Sequence, residues 1–312
     1  MNHTAWNPWH GCHKVSEGCR NCYMYYLDRK RQVEDKSAVP HLTAAYDKPW
    51  PLQKDRHRQY KVMPGDRVMV NMTSDTFLEE ADPWRDKMWD VIRQRPDVRF
   101  FLITKRPERI LRCLPNDWNG GWGNVAISVS CENQHAFNIR WPELERVPAK
   151  IRGIIAAPLI GPLDVRSALI GKRLDIVECG GENYDGSRIC KQEWVEKLAR
   201  DTALYDIPFV FYETGTHYEK NGTVYEIPSR RVQSKQAYLL NLSHGGKPVP
   251  WDLRNTDGTP VTQEQKRQKT YNPNTCLNCG NIRVCNGCDP SCRICPKHEY
   301  VTIEELFRKE TT

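Results

Sequence analysis

The sequence has no apolar run that approaches the length of a membrane span, so the chain is read as soluble, with no membrane partner expected. Its opening, MNHTAWNPWH, lacks the charged and apolar regions of a secretory leader. A reducing, cytoplasmic compartment is therefore expected, where clustered thiols serve metals or catalysis rather than disulfides. Charge of neither sign dominates. Lys and Arg total 46 against 39 Asp and Glu, and the resulting +7 suits a polyanionic partner as well as an ordinary basic surface. The 10 Trp and 13 Tyr tip the balance toward nucleic acid, because aromatic faces stack on extruded or single-stranded bases, although most are expected in the core.

A fourth thiol is missing near the first three. Cys12, Cys19 and Cys22 share one short loop, WHGCHKVSEGCRNCY. A structural zinc site closes its coordination with four protein ligands, whereas a centre that does chemistry keeps a position open. A [4Fe-4S] cluster held by three cysteines likewise leaves one iron free. Two other readings stand beside this one. His10 and His13 flank Cys12 and are candidates to complete a Cys3His zinc site. The thiols are also candidates for core packing, but their neighbours Gly11, Ser16, Gly18 and Asn21 do not look like a core.

From residue 67 onward one theme repeats: a short β-branched or aromatic run, a polar turn, then a helical segment. The runs are 67–72 (RVMVNM), 98–104 (VRFFLIT), 124–129 (NVAISV), 151–156 (IRGIIA), 174–179 (LDIVEC) and 207–212 (IPFVFY). They read as buried parallel strands. Helix candidates at 83–94 and 192–205 alternate with them. The expected fold is α/β, a complete or partial (β/α) TIM-like barrel over residues 1–235. Barrel chemistry gathers at the C-terminal ends of the strands. That placement nominates Ser74, Asp75, Thr104, Lys105, Arg106, Ser130, Glu132, Asn133, Gly180, Gly181, Glu182 and Glu213, with Cys131 and Cys179 also at strand ends.

Residues 236–270 are rich in Gly, Pro, Thr and Asn without sustained periodicity and read as a linker or extended loop. Residues 271–312 form a cysteine-rich extension in which Cys276, Cys279, Cys285, Cys288, Cys292 and Cys295 follow the spacing C-x2-C-x5-C-x2-C-x3-C-x2-C, with His298 just beyond. C-x2-C pairs set two sulfur ligands at the right separation for zinc and for iron alike. The spacing leaves the second metal site open between zinc and an auxiliary [4Fe-4S] cluster. A short helix at 302–309 is expected to pack this region against the barrel.

Ordered blocks of this sequence resemble a known family. They are WNPWHGCHKVSEGCRNCY, TKRPER at 104–109, SVSCENQ at 128–134, PLIGPLD at 158–164, and GGENYDGSRICKQEW followed by IPFVFYETG. Over about residues 5–216 they are similar to the phage-associated three-cysteine family of radical S-adenosylmethionine (SAM) proteins. The resemblance implies a radical SAM barrel in which Cys12, Cys19 and Cys22 hold a [4Fe-4S] cluster and the open iron is chelated by the amino and carboxylate groups of SAM. A 5′-deoxyadenosyl radical then abstracts hydrogen from an unactivated C–H bond, the cofactor doing the hard step while the protein positions it. By family position Ser74, Asp75, Lys105, Arg106, Ser128 and Ser130 contact SAM, and Tyr23, the aromatic after Cys22, joins the cofactor-binding set.

The implied function is modification or rearrangement of a nucleobase, a hypermodified thymine in phage DNA, by an isomerase-type reaction. Glu182 and Glu213 are expected to orient the substrate or move a proton, with Cys131 facing the site. DNA or a modified nucleotide, and an electron donor such as flavodoxin or ferredoxin, are the implied partners, in the host cytoplasm if the protein is phage-encoded. Alternatives are DNA repair similar to spore photoproduct lyase, peptide modification, and a non-catalytic zinc-dependent nucleic-acid-binding protein. The sequence also departs from the family. Its C-x6-C-x2-C gap is usual there, but Ala156 and Ala157 stand where a Cys-Glu pair is common, and Tyr212, Glu213, Thr214 and Gly215 replace a Lys-Gln-Trp-Gly pattern. These changes imply a diverged substrate.

Overall fold

Seven strands pair in chain order into one parallel sheet, in a computed structural model that describes residues 3–171 and 173–267. They are β1 (His3–Trp6), β2 (Arg67–Val70), β3 (Arg99–Thr104), β4 (Val125–Ser130), β5 (Ile151–Ala156), β6 (Ile176–Gly180) and β7 (Phe209–Glu213). All six expected runs are strands. β1 was not anticipated; it is four residues long and pairs with β2 from His3 opposite Arg67 to Trp6 opposite Val70. The main helices are α1 (Tyr23–Lys30), α2 (Asp82–Arg93), α3 (Gln134–Arg146), α4 (Gln192–Leu204) and α5 (Arg230–Leu239). Pro83 in the first turn of α2 and Asn133 at the cap of α3, whose side chain accepts from the Ala136 amide at 3.0 Å, fix where these helices begin.

Strand alternation divides the sheet into two faces. Val68, Val70, Phe100, Leu102, Val125, Ile127, Val129, Val177, Phe209 and Phe211 join the main apolar core. The opposite face carries Met69, Phe101, Ala126 and Ile151 in a smaller cluster, together with Arg67 and Glu178. Those two side chains meet at 2.6 Å although β2 and β6 are four strands apart. Neighbouring strands lie about 4.8 Å apart, so a flat sheet would separate β2 from β6 by roughly 19 Å. The sheet is therefore curled, with this ion pair inside the curl. The architecture is α/β, a half-barrel of parallel strands.

The segment read as a linker or extended loop packs against the body over its described residues. The boundary at 235 falls within α5. Beyond it His244 bridges Phe209 in antiparallel fashion, the Asp252 amide donates to the Gly123 carbonyl at 3.0 Å, and the Arg254 amide donates to the Pro96 carbonyl at 3.1 Å. Val249 and Trp251 close the floor of the concave face, the Trp251 ring lying 5.1 Å from that of Phe101. Scattered apolar residues between turn formers show no period, which is why the sequence reads as a tether. No helix among the described residues is long and apolar enough to cross a membrane. The six cysteines from Cys276 to Cys295, His298 and the helix expected at 302–309 lie outside the described residues.

Candidate active site at the mouth of the half-barrel

The loop that carries Cys12, Cys19 and Cys22 follows β1 and is held by residues just beyond the C-terminal ends of four other strands. After β2, the Ser74 hydroxyl donates to the Gly11 carbonyl at 2.6 Å. After β3, Arg106 donates to the His13 carbonyl at 2.9 Å and approaches the Cys12 sulfur at 3.7 Å. After β4, Glu132 accepts from the Gly18 amide at 3.2 Å. After β6, Glu182 accepts from the Asn21 side chain at 3.1 Å, and Arg188 donates to the Glu17 carbonyl at 3.0 Å. Gly11 has φ +89°, and a β-carbon there would sit 2.7 Å from the Val39 carbonyl oxygen, so the loop begins on a residue that only glycine fills without strain.

All three thiols are partly exposed and unpaired. Burial, with the Asp75 charge, pushes the Cys12 thiol up to about 11 against the opposing Arg106 guanidinium. Burial also raises Cys22, while the Met24 and Tyr25 backbone amides in the first turn of α1 and the Lys105 charge pull the other way. The Cys19 thiol raises both neighbours through charge repulsion, which places it within electrostatic reach of each. The histidines flanking Cys12 are each bonded to a carboxylate, His10 to Asp28 at 2.7 Å and His13 to Glu80 at 2.5 Å. Among the described residues no three His, Cys, Asp or Glu converge as ligands of a single ion.

Several residues expected to touch a cofactor are bonded to the cysteine loop or to one another. Asp75 accepts from Thr104 at 2.7 Å, from the Lys105 amide at 2.9 Å and from Arg106 at 3.1 Å. Ser74 and Arg106 are committed to the cysteine loop as described, and the Tyr23 hydroxyl donates to the Met72 carbonyl. Ser128 is fully buried; its hydroxyl has no partner and lies 2.3 Å from where a β-carbon on Gly153 would be. Ser130 is buried, and its carbonyl accepts from Arg140 at 2.7 Å. The Lys105 ammonium differs from these. It makes no hydrogen bond or ion pair among the described residues, yet its charge is felt at Cys22 and Glu132. A cleft of about 340 Å³, lined in part by His13, Glu80, Lys105, Arg106 and Arg112, opens beside it.

Cys131 does not face the site. Positions 125, 127, 129 and 131 all point into the helix-side core, because the alternation of β4 continues one residue past its end. Burial pushes the Cys131 thiol up to about 12, so it stays neutral, and the side chain turned toward the cysteine loop is that of Glu132. The two other carboxylates nominated for chemistry are each clamped by an arginine. Glu182 accepts from Arg188 Nε at 2.8 Å and Nη2 at 2.5 Å. Burial alone would raise it, but the bonds from Arg188 and Asn21 hold it below the ordinary range. Glu213 accepts from Arg230 at 2.9 Å and from Asn183 at 2.8 Å. Arg140, Arg188, Arg230 and Asn21 were absent from the expected set. Asn21, lying between two cysteines of the motif, carried the one local signal.

The fold and site thus define an α/β half-barrel with a three-thiol loop across its mouth. By sequence, the chain belongs to the family described as protein of unknown function DUF5131, whose model matches residues 1–272. No match was found among curated proteins or among solved structures.

Proposed function

We propose that the protein is a radical SAM enzyme that modifies or rearranges a nucleobase. The observation that carries this reading is the placement of Cys12, Cys19 and Cys22, three partly exposed thiols on the loop after the first strand, over the C-terminal mouth of a parallel half-barrel. Chemistry in barrels of this type gathers at that end. The donor set fits the group. A [4Fe-4S] cluster takes each thiolate on a different iron, so it does not ask three sulfurs to converge on one point as a single zinc ion does. When bound, the cluster and SAM supply reductive cleavage of the sulfonium and, through it, a reagent for C–H abstraction.

The chain's own residues supply position and charge. Lys105, a cation at the strand ends without a partner among the described residues, is placed to take the SAM carboxylate, since charge-assisted bonds are the strong ones. The cleft beside it has a volume within the range of small-molecule sites. Asp75 and Arg106 fix the loop at Cys12, and Glu132 and Arg140 fix it at Gly18. The partial exposure of the thiols leaves a path for an electron donor such as flavodoxin or ferredoxin. The basic excess favours DNA or a nucleotide, and a hypermodified thymine in phage DNA is the substrate to which the resemblance points. A duplex base would have to be flipped out to reach this mouth.

Anaerobic reconstitution with iron and sulfide tests the cofactor, and the expected outcome is bound iron and sulfide in equal amounts with 5′-deoxyadenosine formed from SAM under dithionite. A colourless protein that keeps zinc and no iron overturns the reading. Mass spectrometry of nucleosides from DNA exposed to active and inactive enzyme identifies the base.

A further inference from the structure

The pairing of β6 with β7 slips at one residue: Phe211 lies opposite Cys179 and Glu213 opposite Gly180, leaving Tyr212 as a bulge. Bulges re-aim a side chain. Phe209 and Phe211 face the helix-side core, whereas Tyr212 turns to the concave face. Its ring lies across Gly180, where a β-carbon would sit 2.6 Å from the ring carbons, so the absence of a side chain at Gly180 makes the space for it. The carboxylates nearest the phenol are engaged elsewhere, Glu178 with Arg67 and Glu213 with Arg230. The Tyr212 hydroxyl itself makes no hydrogen bond among the described residues. Burial, with the charges of Glu213, Glu178 and Cys179, pushes the phenol well above its ordinary range against the opposing Arg230. It remains a neutral O–H donor with no acceptor among the described residues, on a side chain that is only partly buried.

We infer that the concave face between β6 and β7 is a substrate subsite in which the Tyr212 hydroxyl donates to a carbonyl oxygen of a planar heterocycle of the pyrimidine class. This deepens the nucleobase reading above and rests on it. Tyr212 is then a specificity-determining residue. Once a bound ring shuts water away from this partly exposed hydroxyl, removing the hydroxyl leaves the ring's carbonyl unpaired and weakens binding by about tenfold.

The test is fluorescence anisotropy with a labelled single-stranded oligothymidylate and an abasic strand of equal length, on reconstituted full-length protein, Tyr212→Phe and Tyr218→Phe. Tyr218 is a fully buried tyrosine outside the subsite, whose hydroxyl also lacks a partner. Tyr212→Phe is expected to weaken oligothymidylate binding about tenfold, to leave abasic-strand binding unchanged, and to keep its thermal midpoint. Tyr218→Phe is expected to bind as the parent does. Equal affinity of Tyr212→Phe and the parent, or no preference of the parent for oligothymidylate over the abasic strand, overturns the subsite. Iron content and SAM cleavage in the same preparations report separately on the cofactor reading, which stands if the parent cleaves SAM while the subsite fails.

Discussion

Arg67 on β2 and Glu178 on β6 form an ion pair of 2.6 Å across the concave face of the sheet. Both side chains are largely buried, and the Arg67 guanidinium also lies 3.8 Å above the centre of the Phe101 ring. Removing one partner leaves a buried charge alone, which costs about 3–5 kcal/mol. Glu178→Ala is therefore expected to lower the urea unfolding free energy by that amount, while Arg67→Met combined with Glu178→Leu recovers most of it. A double variant no more stable than Glu178→Ala would show that the loss does not come from an unpaired Arg67 charge.

Glu132 gives a pH dependence of known sign. Burial raises its carboxyl, but the Arg140 charge, bonds from Ser16 and Arg140, and the Lys105 charge bring it down to about 2. A carboxyl depressed in the fold contributes stability that is present above its ordinary titration range and lost as pH falls from about 4.5 toward 2. The contribution is on the order of 3 kcal/mol. Urea midpoints at pH 7, 4.5 and 3 should fall steeply for the parent and less for Glu132→Gln, which starts lower at pH 7. Parallel curves would contradict this.

Trp251 tests the packing of the segment beyond α5. Its ring covers Phe101 on the floor of the concave face. Trp251→Ala should cost on the order of 2 kcal/mol by lost apolar burial. An unchanged midpoint would contradict the packing of this segment against the sheet.

Asn21 links the cysteine loop to the β6 side through Glu182 at 3.1 Å and the Gly186 carbonyl at 2.6 Å. In reconstituted protein Asn21→Ala should release iron to a chelator several times faster than the parent, with the thermal midpoint of the unreconstituted chain little changed. Equal release rates would remove Asn21 from the support of the loop.

The strands were legible because buried parallel strands are continuous apolar runs, as in 151–156, which the structure reproduces residue for residue. β1 was not, since HTAW is too short for a pattern and is a strand by virtue of its pairing with β2. At the site, the strand-end rule brought Ser74, Asp75, Arg106, Glu132 and Glu182 to one mouth, but not their tasks. Whether a side chain holds the loop or remains open to a ligand depends on partners such as Arg140 and Arg188, which arrive from the following helix or turn with no period to announce them. Cys131 shows the same limit. Its position at a strand end was visible, while its direction followed from strand parity continued past the last paired residue.

The thiols of the first loop carry the proposed chemistry, and 5′-deoxyadenosine formation from SAM under dithionite, measured in parallel for the parent, Cys19→Ala and Cys190→Ala, tests it most directly. Cys190 is a fully buried thiol in the main core, away from the loop. The parent and Cys190→Ala are predicted to form the product and Cys19→Ala to fall to background. Product at parental level from Cys19→Ala, or none from the iron-loaded parent, would contradict the account.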